Sequence, residues 1–218
     1  MKNIIVTGSS RGIGLAIAQA FLAKGYKVLG TSTSGTSMLN EANFECFPLR
    51  LNDPESVTTF CDAIKNYSID GIINNAAILL EDWSRTEVDL QQLRQTFEVN
   101  VFGTIDLTEH LLPLLNTGSR IINLSSGWGT FSESGFNAMV PHYKMSKTVL
   151  NMYTKLLAKR LESRKIVVSA VNPGWVQTDM GGGGAPVKPQ EVGKQIINLF
   201  EKNTKSGHLW YNGKISEW

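Results

Sequence analysis

The segment Thr7-Gly8-Ser9-Ser10-Arg11-Gly12-Ile13-Gly14 follows directly on the apolar run Ile4-Ile5-Val6 and leads into an amphipathic stretch. This order of strand, glycine turn and helix commits the N-terminus to a βα unit. Glycines at 8, 12 and 14 let backbone N–H groups approach a pyrophosphate, whose charge the helix dipole favours. Their first spacing is wider than the common G-x-G-x-x-G, and a tight turn can need glycine for packing alone. The strand–turn–helix context is what points to a dinucleotide.

Downstream, short apolar runs alternate with longer amphipathic stretches, which signals βαβ units on a parallel sheet and an α/β fold. Strands are expected at Asn3–Thr7, Lys27–Thr31, Phe44–Pro48, Gly71–Asn74, Arg120–Leu124, Ile166–Val171 and His208–Tyr211. Helices are expected at Ile13–Lys24, Pro54–Asn66, Leu90–Leu115, His142–Ser163 and Pro189–Glu201. Asn52 or Asp53 can cap the second of these, with Pro54 at its first position. Gly103 and Pro113 weaken the middle and end of Leu90–Leu115. A chain of 218 residues without repeat or linker fits one domain, 1–218, and 42% hydrophobic residues allow a sizeable core.

The formal charge of +2, with no Lys/Arg run, speaks against nucleic acid as a partner. Cys46 and Cys61 have neither metal-ligand spacing nor a disulfide framework, and no cluster of His, Cys and carboxylates suggests a metal. Met1 runs almost straight into the first strand, with no signal peptide and no long apolar span, so a soluble cytoplasmic protein is expected.

Chemistry enters at Tyr143-x-x-x-Lys147, shortly after a strand ending in Ser125-Ser126. Residues four apart on a helix share a face, so a phenol and an ammonium stand side by side. Such a pair suits acid–base work on a carbonyl. The choice of nicotinamide cofactor is also readable. NAD enzymes place an Asp or Glu about 20 residues past the glycine turn. Here the second strand runs into Thr31-Ser32-Thr33-Ser34-Gly35, with no acid before Glu41. Small hydroxyls such as Ser32 can donate to a 2′-phosphate, and Arg11 can oppose its charge. NADPH is therefore expected over NADH. Alternatively, Arg11 is a solvated turn residue.

Six features in this order, Thr7-Gly8-x-x-x-Gly12-x-Gly14, Asn74-Asn75-Ala76-Ala77, Asn100, Ser126, Tyr143-x-x-x-Lys147 and Asn172-Pro173-Gly174, resemble the short-chain dehydrogenase/reductase family over essentially the whole chain. The segment Gly174–Gly182 and the ending Tyr211–Trp218 resemble the carbonyl-reductase and C-factor branch, and Gly30–Ser34 resembles the NADPH-dependent ketoacyl reductases. The resemblance implies a Rossmann-type doubly wound sheet of about seven strands with helices on both faces. It implies that Tyr143 donates a proton to a substrate carbonyl, with Lys147 drawing the phenol towards neutral range. Lys147 would also bond the nicotinamide ribose, Ser126 would hold the carbonyl oxygen, and Asn100 would position a water. Gly8, Ser10, Arg11, Gly12, Ile13, Gly14 and Ser32 would hold the phosphates and ribose, and Asn74, Asn75 and Ala76 would lie beside adenine and ribose. Pro173, Gly174, Val176 and Thr178 would meet the nicotinamide. The Asn74–Ala77 run ends in Ala where Gly is commoner.

The chain between Ser126 and Tyr143 is a few residues longer than the simplest family pattern, and Trp128, Phe131, Phe136, Met139 and His142 there either line a substrate pocket or pack on the neighbouring helix. His142 as a lone helix-start histidine reads as a cap or surface group. Gly181–Gly184 reads either as a connector or as a flap over the substrate. The chain departs from the resembled family after Thr178, where many members carry a longer helical lid: only Asp179–Lys188 leads to the last helix, which argues for an open site tolerant of bulky or varied carbonyl compounds. The function expected is NADPH-dependent reduction of an aldehyde, ketone or quinone; the alternative is a cofactor-binding regulator with little catalysis. The apolar face Val149, Met152, Tyr153, Leu156 and Leu157 either pairs with a second subunit, giving a homodimer or homotetramer as in relatives, or packs on the sheet.

Overall fold

A computed structural model describes residues 1–132, 135–202 and 204–218. Seven strands, β1 (Asn3–Val6), β2 (Lys27–Ser32), β3 (Phe44–Pro48), β4 (Ile69–Asn74), β5 (Leu115–Leu124), β6 (Val167–Asn172) and β7 (His208–Tyr211), run parallel in the order β3-β2-β1-β4-β5-β6-β7. An eighth, β8 (Lys214–Ser216), pairs antiparallel with β7. It adds one strand to the expected set. The turn that makes it is Asn212-Gly213, both at positive φ (48° and 73°), a dipeptide suited to a two-residue hairpin.

Helices cover both faces, and strand alternation divides the apolar side chains between them. Ile5, Leu29, Ile72, Ile121 and Val168 meet Val57, Phe60, Leu107, Leu111 and Leu157 on one side. Those partners come from α2 (Pro54–Ala63), α4 (Thr104–Leu111) and α5 (Pro141–Arg160). Ile4, Val28, Ile73, Ile122 and Val171 meet Ile17, Phe21, Val192, Ile196 and Phe200 on the other, from α1 (Gly12–Leu22) and α6 (Pro189–Glu201). Burial on both faces is why these strands read as continuous apolar runs. Each such side chain contributes about 1.5–3 kcal/mol of transfer free energy.

Asp53 caps α2 as expected, accepting from Glu55 N at 3.1 Å and Ser56 N at 3.3 Å, with Pro54 at the first position. The expected helix Leu90–Leu115 is broken. It becomes α3 (Leu90–Phe97), a π-turn Glu98–Gly103, α4, and a 3₁₀ turn Leu112–Leu114, after which β5 begins at Leu115. A side chain at Gly103 would strike the Leu51 carbonyl, so the backbone sits hard against the loop after β3. The wide turn inserts one residue into the helical register, and Asn100 within it is buried.

The apolar face expected on α5 divides. Leu157 and Tyr153 pack into the core, whereas Val149, Met152 and Leu156 are exposed. Between β1 and β4 the connections diverge to opposite ends of the sheet, and that switch point leaves a crevice beyond the C-terminal strand ends.

Candidate active site

The turn after β1 is sewn to the loop after β4. Thr7 Oγ1 accepts from Asn75 N at 2.9 Å and Ala76 N at 3.0 Å, and Asn75 Nδ2 donates to the Thr7 carbonyl at 2.8 Å. Gly8 and Gly12 adopt φ of 66° and 55°, and a Cβ on Gly14 would collide with the Gly8 carbonyl. A cleft of about 760 Å³ opens here, walled by Gly8, Ser10, Arg11, Gly12, Ile13, Gly14, Asn75 and Ala76. It continues to Ser32 past β2 in one direction, and to Tyr143, Lys147, Pro173 and Thr178 beyond β5 in the other.

Not every expected residue meets this cleft. Asn74 is a buried peg, donating to Thr108 Oγ1 at 2.9 Å and Asn123 Oδ1 at 2.8 Å. Gly174 and Val176 line a neighbouring cavity instead. Ser32 lines the cleft, but its Oγ is engaged by Thr36, accepting from its N–H at 3.0 Å and donating to its carbonyl at 2.9 Å. Arg11 pairs with Asp179 at 2.9 Å on the open rim, so a carboxylate already faces the guanidinium. Sequence reasoning missed Arg50, which lines the cleft with Ser32 and Thr33. Its signal was register: β2 and β3 pair as Ser32↔Pro48, so a residue just past β3 stands beside the end of β2.

Tyr143 and Lys147 project from the first two turns of α5 and both are buried. Burial pushes the Tyr143 phenol up to about 12, against a hydrogen bond with Ser126 that works in the opposite direction. The phenol thus lies above its ordinary value, where the resemblance implies a draw towards neutral range by Lys147; desolvation is the larger influence. The same dry surroundings push Lys147 down to about 8, because they penalise its own charge. Lys147 Nζ donates to the Leu124 carbonyl at 2.8 Å.

Of the two serines, Ser126 lines the neighbouring cavity and its Oγ accepts from Trp128 N at 3.1 Å. Ser125 Oγ is committed to Asn151 Oδ1 at 2.5 Å. Asn100 clamps the loop after β4. Its Oδ1 accepts from Ile78 N, and its Nδ2 donates to the Ile78 carbonyl, each at 2.8 Å; Nδ2 also reaches Ser146 Oγ at 3.1 Å.

Beside the cleft lies a cavity of about 450 Å³, walled by Leu79, Trp83, Trp128, Trp175 and Met180, with no charged side chain among its described lining residues. Trp83 and Trp128 stand edge to face at 5.4 Å between centroids, and Trp83 and Trp175 are tilted at 47° to each other with centroids 6.1 Å apart. Trp175 Nε1 donates to the Gly181 carbonyl at 2.7 Å, fixing the first glycine of Gly181–Gly184 against this wall. Three of the five tryptophans thus sit on loops that follow β4, β5 and β6. Only Trp128 was expected as a lining residue. Phe131 and Phe136 are exposed, and neither they nor Met139 line the cavity.

His142, expected as a cap or surface group, is instead fully buried, with its Nε2 accepting from Asp89 N at 2.9 Å. Among the described residues, no group of three or more His, Cys, Asp or Glu is placed to hold a metal, and no helix is long and apolar enough to cross a membrane.

Comparison with known proteins agrees with this architecture. The 3-oxoacyl-[acyl-carrier-protein] reductase FabG of Escherichia coli is 32% identical over 188 residues, 82% of this chain and 75% of the relative. The NADPH-bound carbonyl reductase from chicken fatty liver superposes with a TM-score of 0.88 at 26% identity, covering 100% of this chain and 99% of that one. The carbonyl reductase Sniffer of Drosophila melanogaster gives 0.87 at 26% identity, covering both chains fully. A family profile described as short chain dehydrogenase matches residues 2–185, and the chain belongs to that family.

Proposed function

We propose that the protein is an NADPH-dependent carbonyl reductase whose single domain, 1–218, holds both cofactor and substrate, with Tyr143 as general acid. The observation that carries this reading is that Tyr143 lines both the polar cleft and the aromatic cavity, so its hydroxyl serves the boundary between them.

The cleft fits a dinucleotide phosphate by its donor set: glycine backbone after β1, the cations Arg50 and Lys147, and Arg11, which Asp179 pairs with on the rim, with no acid beside Ser32. A Cβ at Gly8 or Gly12 would press to 3.2–3.3 Å on Ala76 or Thr178, so the backbone itself forms the cradle. NADPH, when bound, supplies a hydride to the carbonyl carbon. Ser126 Oγ holds the carbonyl oxygen, and the Tyr143 hydroxyl gives up its proton to that oxygen as the C=O π bond is lost. A phenol raised to about 12 is protonated at neutral pH, the form a proton donor needs. Lys147 spends one N–H on Leu124, which leaves two for ribose hydroxyls.

The uncharged aromatic wall favours flat, apolar aldehydes, ketones or quinones. The likeness to FabG supports a second reading, a 3-oxoacyl thioester. A regulator that only bound the cofactor would have no use for a phenol at the junction of two cavities.

The test combines NADPH titration with NADPH oxidation on a panel of quinones, aromatic aldehydes and an acetoacetyl thioester. Tyr143→Phe is expected to keep NADPH affinity within about twofold and to lose roughly 10²–10⁴ in turnover. Turnover unchanged in that variant, or absent from the wild type on every substrate, overturns the reading.

A further inference from the structure

Helix α5 carries Tyr143 and Lys147, yet its N-terminus has no local cap. Val140 takes the cap position in a left-handed conformation (φ 48°) and offers no side-chain acceptor. Pro141 has no N–H, and Lys144 N reaches the Val140 carbonyl at 3.1 Å. The two remaining first-turn donors both go to one distant atom. Glu81 Oε1 accepts from His142 N at 2.7 Å and from Tyr143 N at 3.1 Å.

Glu81 has a fully buried side chain, which is uncommon for a lone acid without a purpose. Its other oxygen, Oε2, has no partner among the described residues, so the whole contact is made through Oε1. The buried His142 ring stands against the same oxygen. Its Nδ1 lies 3.0 Å from Oε1 without meeting hydrogen-bond geometry. The Nε2 side accepts from Asp89 N, and Asp89 Oδ1 in turn caps α3 through Gln91 N at 2.8 Å and Gln92 N at 3.1 Å. Helix α3 runs into the π-turn that holds Asn100.

The loop between β4 and α3 is consequently fastened at three points, to the π-turn, to the first turn of α5 and to the residue that precedes α5. Ile78 is held by Asn100, Glu81 caps Tyr143, and the Arg85 carbonyl accepts from Val140 N at 2.9 Å. The same loop carries Leu79 and Trp83, two walls of the aromatic cavity.

We propose that Glu81 is a positioning residue: its carboxylate, bonded to the backbone N–H of Tyr143, sets the general acid and the Trp83 wall in one register. This rests on the reading of Tyr143 as the acid. Glu81 lines neither the cleft nor the cavity, so it acts through Tyr143 and the loop and not on the ligands. A carboxylate on two first-turn amides also has the favourable polarity for a helix N-terminus. Removing it leaves two buried donors without an acceptor, and the first turn of α5, with Tyr143 on it, loses its anchor.

The experiment compares wild type, Glu81→Ala, Glu81→Gln and Tyr143→Phe, each first shown to be folded by circular dichroism. NADPH dissociation constants are measured by fluorescence, and kcat and carbonyl KM on a quinone. In Glu81→Ala the expected result is kcat lower by tenfold or more, carbonyl KM raised, and NADPH affinity within twofold of wild type. Glu81→Gln retains an acceptor oxygen and is expected to recover kcat to within threefold. If Glu81→Ala loses only thermal stability while kcat and KM hold, or weakens NADPH in proportion to kcat, the proposal is overturned. An unfolded Glu81→Ala passes the decision to Glu81→Gln and to Glu81→Asp, which shortens the reach by one methylene; wild-type kcat and KM in Glu81→Asp overturn it. If Tyr143→Phe keeps wild-type turnover, the reading of the acid falls first, and Glu81 with it. An inactive Tyr143→Phe beside an unimpaired Glu81→Ala removes Glu81 alone.

Discussion

Lys147 Nζ donates to the Leu124 carbonyl at 2.8 Å while standing 5.5 Å from the centre of the Tyr143 ring. One strand-end carbonyl therefore fixes the ammonium beside the phenol. Burial acts on the two groups in opposite senses. It lowers Lys147 to about 8 and raises Tyr143 to about 12, since it opposes charge on either.

In the free enzyme, then, NADPH affinity should fall as pH rises through about 8, where Lys147 loses its charge, while Tyr143 stays protonated. The decline approaches about tenfold per pH unit where the ammonium is essential. Titrations from pH 6 to 10 check this. Lys147→Met should bind weakly and show no such limb. Folding stability carries the reverse sign. Between about 8 and the ordinary 10.5 the unfolded chain holds the lysine proton and the native protein does not, so stability from this site rises with pH. Urea melts at pH 8 and pH 10 should show that rise in wild type, and lose this contribution in Lys147→Met.

The charges at the adenosine end make a second prediction. Arg11 faces Asp179, whereas Arg50 lines the cleft beside Ser32. Arg50→Ala should weaken NADPH about tenfold and NADH little, as expected for loss of a cation from a phosphate. Asp179→Asn should free Arg11 and tighten NADPH severalfold. Isothermal titration with 2′-AMP and 5′-AMP separates the phosphate effect from all others. Equal losses for both nucleotides in Arg50→Ala would rule out a role in phosphate recognition.

Trp175 joins the aromatic wall to Gly181 through its indole N–H. Trp175→Phe keeps an aromatic face but loses that bond, and Trp175→Ala loses both. The KM for a flat quinone should rise stepwise, severalfold in Phe and about tenfold or more in Ala, a loss in the range of an aromatic contact. The KM for a small linear aldehyde should move little. Steady-state kinetics on the two substrates check the difference.

Gly14 sits where α1 begins, and an added Cβ would meet the Gly8 carbonyl and lie 2.6 Å from Asn75 Nδ2. Backbone cannot yield there as a flexible side chain would. Gly14→Ala should destabilise by about 1–3 kcal/mol and weaken NADPH together, because one displacement moves both the fold and the cradle. Paired denaturation and NADPH titration would show the two losses in one variant.

Much of the fold was legible in the sequence because its determinants are local. Strand alternation buried Ile4 and Ile5 on opposite faces, the Gly8–Gly14 turn followed β1, and Pro54 behind Asp53 marked a helix start. The Asn212-Gly213 turn was as local a signal, though β8 was not read from it. The spacing of Tyr143 and Lys147 likewise placed both on one helix face. What the chain alone did not specify depends on contacts between distant segments. Gly103 looked like a weak point in a helix, and only the Leu51 backbone against it explains a π-turn that buries Asn100. Asn74 stood beside Asn75 in one motif, yet one residue of strand alternation sends it to Thr108 and its neighbour to the glycine turn. Arg50, Trp83 and Trp175 joined the site because parallel strands bring their C-terminal ends to one edge of the sheet. His142 and Glu81, 61 residues apart, met because the loop after β4 folds over α5. Local sequence thus specified most of the strands and helices and the residue types they carry; long-range packing decided which side chains are withdrawn from solvent together, and so lowers Lys147 and raises Tyr143, because desolvation belongs to the packed molecule and not to any short stretch of chain.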